Sequence, residues 1–217
     1  MYLFPTLHGR PCGYVNLNEL AKRIRTGGTR ADNPFIDPDR CHRILLEYHE
    51  ARGIAYSYGR YLEKRSTLWE GVKYLRDKKT FLHLGVDFNV QAGTPVAINH
   101  KAVVELIDTD FPEKFGWGTR VIVKLTTHPL YFIYAHLDPQ VSCRVGQVLM
   151  PNSYIGRVGV PPQNGGWFPH LHVQLVTTHA WRYYKNKLKI LDGYGKEEEL
   201  IALSKMFPDP LPHLRVW

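Results

Sequence analysis

Phe168-Pro169-His170-Leu171-His172-Val173-Gln174-Leu175 alternates along its length. His170 and His172 point one way; Leu171, Val173 and Leu175 point the other. A period of two marks a strand with one face in a core and the other in a site. Two imidazoles side by side on a strand are costly unless something uses their nitrogens, and the commonest user is a metal. By itself the pair fits a surface strand equally well.

Two further stretches carry the same pattern. Leu82-His83-Leu84-Gly85-Val86-Asp87-Phe88 sets His83, Gly85 and Asp87 against Leu84, Val86 and Phe88. A glycine between the two polar groups leaves room above the strand for a ligand or a close backbone approach. Phe132-Ile133-Tyr134-Ala135-His136-Leu137 sets Tyr134 and His136 against Ile133, Ala135 and Leu137. Three strands thus each offer polar groups opposite an apolar face. A carboxylate with two or more imidazoles can bind zinc and leave one coordination position open for water.

Five short motifs stand in order: His83-x-Gly85-Val86-Asp87, Gly93-Thr94-Pro95-Val96-Ala97, Tyr134-Ala135-His136-Leu137, Gly146-Gln147 and His170-Leu171-His172. In order and spacing, residues 81–176 resemble the lysostaphin-type zinc metallopeptidases. The resemblance implies a mainly β, antiparallel sandwich or partly closed barrel with a zinc ion in a groove. It also implies a zinc-dependent endopeptidase that breaks a peptide bond with metal-activated water, usually in cell-wall peptides. Carried over position by position, it makes His83, Asp87 and His172 the ligands of one Zn2+ per chain. His136 and His170 become catalytic groups beside the metal, one acting on the water and the other on the oxyanion.

The sequence departs from that pattern in two places. A short turn of small residues usually precedes the His-x-His strand, but here Pro161-Pro162-Gln163-Asn164-Gly165-Gly166-Trp167-Phe168-Pro169 does. Trp167 and Phe168 would line or narrow the groove, with Tyr134 as a third candidate for substrate contact; both rings equally suit a closed barrel end. Gln174 stands where many relatives have glutamate.

The 217 residues, 44% of them hydrophobic, can supply a real core. No apolar run approaches the ~20 residues of a membrane span. Met1-Tyr2-Leu3-Phe4-Pro5-Thr6 lacks the basic and apolar regions of a signal peptide. Cys12, Cys41 and Cys143 are too few and scattered for a disulfide framework. A reducing cytoplasm is the simplest compartment, with export by another route left open.

Charge is uneven: residues 1–80 hold 15 Lys and Arg against 9 Asp and Glu, and residues 81–217 hold 13 against 11. No nucleic-acid-binding motif accompanies the basic portion, so a solvated face is expected there and no nucleic-acid partner.

Residues 1–80 read as a basic, partly helical extension packed on the core. Helices are expected from Asn18 to Arg25, capped by Asn16 or Asn18 and ended by Gly27-Gly28, and from Pro38 to about Arg52, ended by Gly53. Tyr56 to Arg65 reads as a strand or loop covering the sheet, or as a groove wall offering Arg60 or Arg65 to a carboxylate. Residues 81–178 read as the zinc-peptidase-like β domain, with short strands separated by turns. Residues 179–217 follow as a tail with one helix over Lys196–Met206 and an extended proline-rich end. The sequence leaves three functions open: a zinc peptidase acting on a peptide or peptidoglycan-type substrate or on a short intracellular peptide or amide, a zinc-binding module without turnover, and a basic binding protein whose activity lies in residues 1–80.

Overall fold

The structure is a computed structural model and describes residues 2–24, 33–70, 81–110 and 115–216. In chain order it contains β1 (Cys12–Tyr14), α1 (Leu17–Ile24), α2 (Pro38–Arg52), β2 (Tyr56–Gly59), β3 (Phe81–His83), β4 (Val86–Asn89), β5 (Pro95–Ala97) and β6 (Ala102–Asp110). Then come β7 (Gly118–Leu125), β8 (Leu130–Leu137), β9 (Val148–Leu149), β10 (Tyr154–Arg157), β11 (Leu171–Thr177), α3 (Thr178–Tyr184), β12 (Tyr194–Lys196) and α4 (Leu200–Met206).

Eight strands form one sheet in the order β1-β2-β4-β11-β8-β7-β6-β9. Its neighbours are antiparallel, except the parallel pair β1–β2 at one edge. The sheet is open rather than closed into a barrel. Val86, Phe88, Phe132, Tyr134, Leu171, Val173 and Leu175 share one face of the sheet. There they meet Val96 and Ile155 from the two-stranded β5–β10 sheet, which makes a second layer. Each of these side chains contributes about 1.5–3 kcal/mol when fully buried. On the other face Ile133, Ala135 and Val176 pack under α3 and α4 against Trp181, Leu203 and Phe207.

The helices of the extension follow local chemistry. The Asp37 carboxylate accepts from the backbone N–H groups of Asp39 and Arg40 and starts α2. Gly53, at φ 63°, ends it. Cys41, Leu45 and His49 recur every fourth residue and form its buried stripe. Asn16 accepts from Glu19 N–H at the start of α1; Arg25 and Gly27-Gly28 lie outside the described residues. The extension reaches the main sheet through β1 and β2.

Three expectations change. The run Leu82–Phe88 is two strands in different sheets: β3 pairs with β12, and β4 lies between β2 and β11. The break falls at Leu84–Gly85, so Leu84 packs in the cluster under the helices while Val86 and Phe88 enter the main core. A Cβ on Gly85 would meet the His172 ring and Val173 O, each at 2.6 Å, so the bend admits only glycine. The helix expected over Lys196–Met206 is shorter, because Lys196 is held extended in β12 opposite Phe81. A 3-10 turn at Glu197–Glu199 then leads into α4. The tail expected to be extended instead contains a 3-10 turn at Leu211–His213, and Arg215 O accepts from Leu3 N–H.

Candidate active site

His83, Asp87, His136, His170 and His172 line one cleft of about 390 Å³. They are between 2% and 6% exposed. Three of them converge at atomic distance. His83 Nε2 lies 3.1 Å from His172 Nδ1 and 3.1 Å from Asp87 Oδ1, and His172 Nδ1 lies 2.8 Å from the same oxygen. Such a group can hold a metal ion. Their other nitrogens are also tied: His83 Nδ1 lies 3.2 Å from Arg60 O, and His172 Nε2 lies 3.1 Å from Gln174 Oε1. This is how the tautomer of a metal-binding histidine is set.

His136 and His170 stand beside the triangle, their rings 4.4 Å apart. His136 Nδ1 faces Asn164 O at 2.9 Å and His170 Nδ1 faces Phe168 O at 2.8 Å. With Nδ1–H donated to a carbonyl, Nε2 keeps its lone pair. His170 Nε2 is 3.8 Å from Asp87 Oδ1.

Electrostatics agrees with the geometry. Burial, reinforced by Arg65, pushes His83 down to about 4. Burial also lowers His170, and holds His136 well below the ordinary histidine range. Burial by itself would raise the Asp87 carboxyl, but His83 and the permanent charge of Arg65 hold it well below the usual carboxylate range. At neutral pH His83, His136 and His170 are therefore neutral imidazoles beside the ionised Asp87 carboxylate.

Among protein families, residues 81–184 match Peptidase family M23. This M23-like segment spans 104 of the 217 residues, a little under half of the chain. Among solved structures, the chain is similar to the catalytic domain of the antimicrobial peptidase lysostaphin from Staphylococcus simulans: 20% identity, 61% of this chain and 78% of that one, TM-score 0.43. It is also similar to the catalytic domain of the prophage-encoded M23 protein EnpA from Enterococcus faecalis: 23% identity, 44% and 68%, TM-score 0.38. No curated protein matches. Among the described residues no helix is long and apolar enough to cross a membrane.

The M23 segment supplies all five polar groups but not the whole cleft. Phe35, Arg65, Leu68 and Trp69 come from the chain before it, and Asp192 and Tyr194 from the chain after it. Two buried asparagines hold the earlier wall. Asn18 accepts from the Thr67 and Leu68 N–H groups, while Asn33 donates to the Thr67, Leu68 and Glu70 carbonyls. On the later wall, burial raises Asp192 to about 6.

Tyr134, a candidate for substrate contact, is a correction. It is 1% exposed and lies in the main core, with its ring stacked on Phe132 at 5.6 Å. The reason is a bulge. Ala135 and His136 together stand opposite the single residue Arg120 of β7, and His136 takes φ 64°. That left-handed conformation costs about 1–2 kcal/mol and turns His136 to the face opposite Tyr134. Trp167 and Phe168 do line the cleft. Both are also built into it: Trp167 Nε1 donates to Gly116 O at 2.9 Å, and Phe168, 4% exposed, stacks on the His170 ring at 4.6 Å.

The structure brings to the site two residues that the sequence leaves unassigned. Asn164 is fully buried; its carbonyl faces His136, and its amide donates to Trp167 O. Gln174 stands out in the sequence only as a departure from the family pattern. Its amide oxygen faces His172 and its amide nitrogen donates to Asp192 O, a pairing a carboxylate cannot make. The Gly-Gly after Asn164 was the available signal for a tight turn: a Cβ on Gly165, at φ 89°, would fall 2.2 Å from Gly116 O.

Proposed function

We propose that the protein is a zinc-dependent peptidase. In this reading His83, Asp87 and His172 hold one zinc per chain, and His136 and His170 serve the reaction. The observation that carries it is the triangle of His83 Nε2, Asp87 Oδ1 and His172 Nδ1, with edges of 2.8–3.1 Å. Ligand atoms at ~2.0–2.1 Å from a tetrahedral zinc stand about 3.3 Å apart, so the triangle needs to open by only a few tenths of an ångström. Two imidazoles and a carboxylate leave a fourth position free, as hydrolytic zinc sites require.

Zinc held there would acidify a water and polarise the scissile carbonyl. The remaining work falls to the chain. His136 and His170 are kept neutral by burial and present Nε2 to the cleft, so one of them accepts the water's proton. Once protonated, such an imidazole becomes a donor and returns the proton to the leaving amine. The other histidine is placed to stabilise the oxyanion that develops on the carbonyl. The Asn164 and Phe168 carbonyls keep both rings in the required tautomer. Trp167, Phe168 and Trp69 make the approach apolar and narrow, which favours a short peptide with an apolar side chain over a polymeric wall strand.

The test is elemental analysis of the purified protein, followed by digestion of purified peptidoglycan and, separately, of a short-peptide panel, read by mass spectrometry. About one zinc per chain and cleavage of short peptides are expected. A protein without zinc, or one that cleaves neither substrate, ends this reading. Faster release from intact peptidoglycan than from short peptides keeps the peptidase and overturns the substrate class.

A further inference from the structure

Arg65 is 2% exposed and lies outside the M23 segment, yet its guanidinium reaches the centre of the cleft. Nη1 donates to Asp87 Oδ2 at 2.5 Å, and Nη2 donates to Glu63 Oε2 at 3.3 Å. The contact falls on the oxygen that His83 and His172 do not share. Those two rings converge on Oδ1, so Arg65 and a metal would not compete for the same atom.

The approach of Arg65 is fixed by backbone. Leu62 N–H donates to His83 O, His83 N–H to Glu63 O, and Arg65 N–H to Phe81 O, so residues 62–65 run alongside β3. The asparagine clamp on residues 67–70 follows immediately. Gly59 makes room: a Cβ there would sit 2.7 Å from Arg65 Nη2. The ion pair is poorly made for stability alone. Arg65 Nε and Glu63 Oε1 are buried without a hydrogen-bond partner. Arg120 also leaves one nitrogen, Nη1, without a partner, but it grips the single carboxylate of Asp108 with two parallel bonds of 2.6 and 2.7 Å. Arg65 splits its fork between two carboxylates and gives the shorter bond to Asp87.

We infer that Arg65 is a positioning residue that holds Asp87 as a one-oxygen ligand. By occupying Oδ2 it keeps that oxygen out of the coordination shell, leaving a position for water and substrate. It also draws charge from the carboxylate, so less is donated to the metal. The inference rests on the reading of His83, Asp87 and His172 as ligands.

The test uses full-length protein loaded with Co2+, whose visible absorption reports coordination number. The variants are Arg65→Lys and the double variant Arg65→Met, Glu63→Gln, which leaves neither charge of that pair unpartnered. The double variant should keep about one metal per chain and lose about 10–100-fold in kcat/KM. Its cobalt band should weaken as Asp87 binds through both oxygens. A lysine ammonium lacks the planar fork, so Arg65→Lys should fall between the two. A lower Tm with a wild-type cobalt spectrum would mean a merely structural ion pair and would overturn the inference. If the double variant does not fold, Arg65→Lys decides: a wild-type spectrum and rate overturn the inference. Asp87→Ala separates the two levels, because undiminished cobalt uptake there sinks the ligand reading and this inference with it.

Discussion

One cleft holds two pairs of histidines. His83 with His172 and His136 with His170 are equally buried, and each of the four has one nitrogen tied to an oxygen acceptor. They differ in where the second nitrogen goes. In the first pair the second nitrogens meet Asp87 Oδ1 within 3.1 Å. In the second pair they are left toward the cleft, and His170 stops 3.8 Å short of that oxygen. Less than an ångström separates a proposed ligand from a proposed base. Residue type and burial do not distinguish the roles; convergence on a carboxylate does.

The largest expected effect breaks the first pair. His172→Ala should lose most of the bound metal and essentially all peptidase activity, as measured by zinc content after gel filtration. A variant that stays fully loaded would remove His172 from the ligand set. Next in size, His136→Ala and His170→Ala should retain about one zinc and lose turnover by about a hundredfold or more. Either variant emerging metal-free would erase the distinction between the pairs. Gln174→Ala sharpens the comparison without touching a ligand. Loss of the acceptor at His172 Nε2 should weaken metal binding about 10–100-fold in competition with a chelator, and an unchanged affinity would show that the tie is incidental.

The smallest effect comes from a buried histidine outside the cleft. His49 Nε2 lies 2.8 Å from Ser57 Oγ, and burial lowers its pKa to about 4. Its unfolded value is higher, near 6.5, so between those values the unfolded chain binds more protons. Stability from neutral His49 is therefore complete above about pH 6.5 and declines as pH falls toward 4. His49→Gln should flatten that decline by roughly 1–3 kcal/mol between pH 7 and 4, measured by urea unfolding, with zinc content unchanged. Equal slopes in the two proteins would show that His49 takes up its proton without unfolding.

Much of this architecture was legible in local pattern. Helix α2 carries its own start at Asp37, its own stop at Gly53 and a four-residue stripe between them, and its bounds match the expectation. The alternation in β11 holds from Leu171 to Leu175, because a strand with one face in a core cannot slip by a residue without exposing that face. Patterns failed where a partner strand intervened. In β8 the alternation was sound up to Ala135, and one extra residue against β7 then sent His136 away from Tyr134. In Leu82–Phe88 a bend at Gly85 split one expected strand between two sheets.

The sequence by itself determined the mainly β class, the order of the motifs and the five polar groups, because each is encoded in residues a few positions apart. Only the tertiary structure decided what surrounds them. Arg65 stands in the sequence as one of two arginines on a possible groove wall; backbone bonds to Phe81 and His83 put it in that wall and onto Asp87. Asn164 faces His136 across 28 positions, and residues after the M23 segment close the cleft beside His172. A buried guanidinium or carbonyl finds its partner through the pairing of distant strands. Such pairing depends on the summed packing of both sheet faces, which no local window contains.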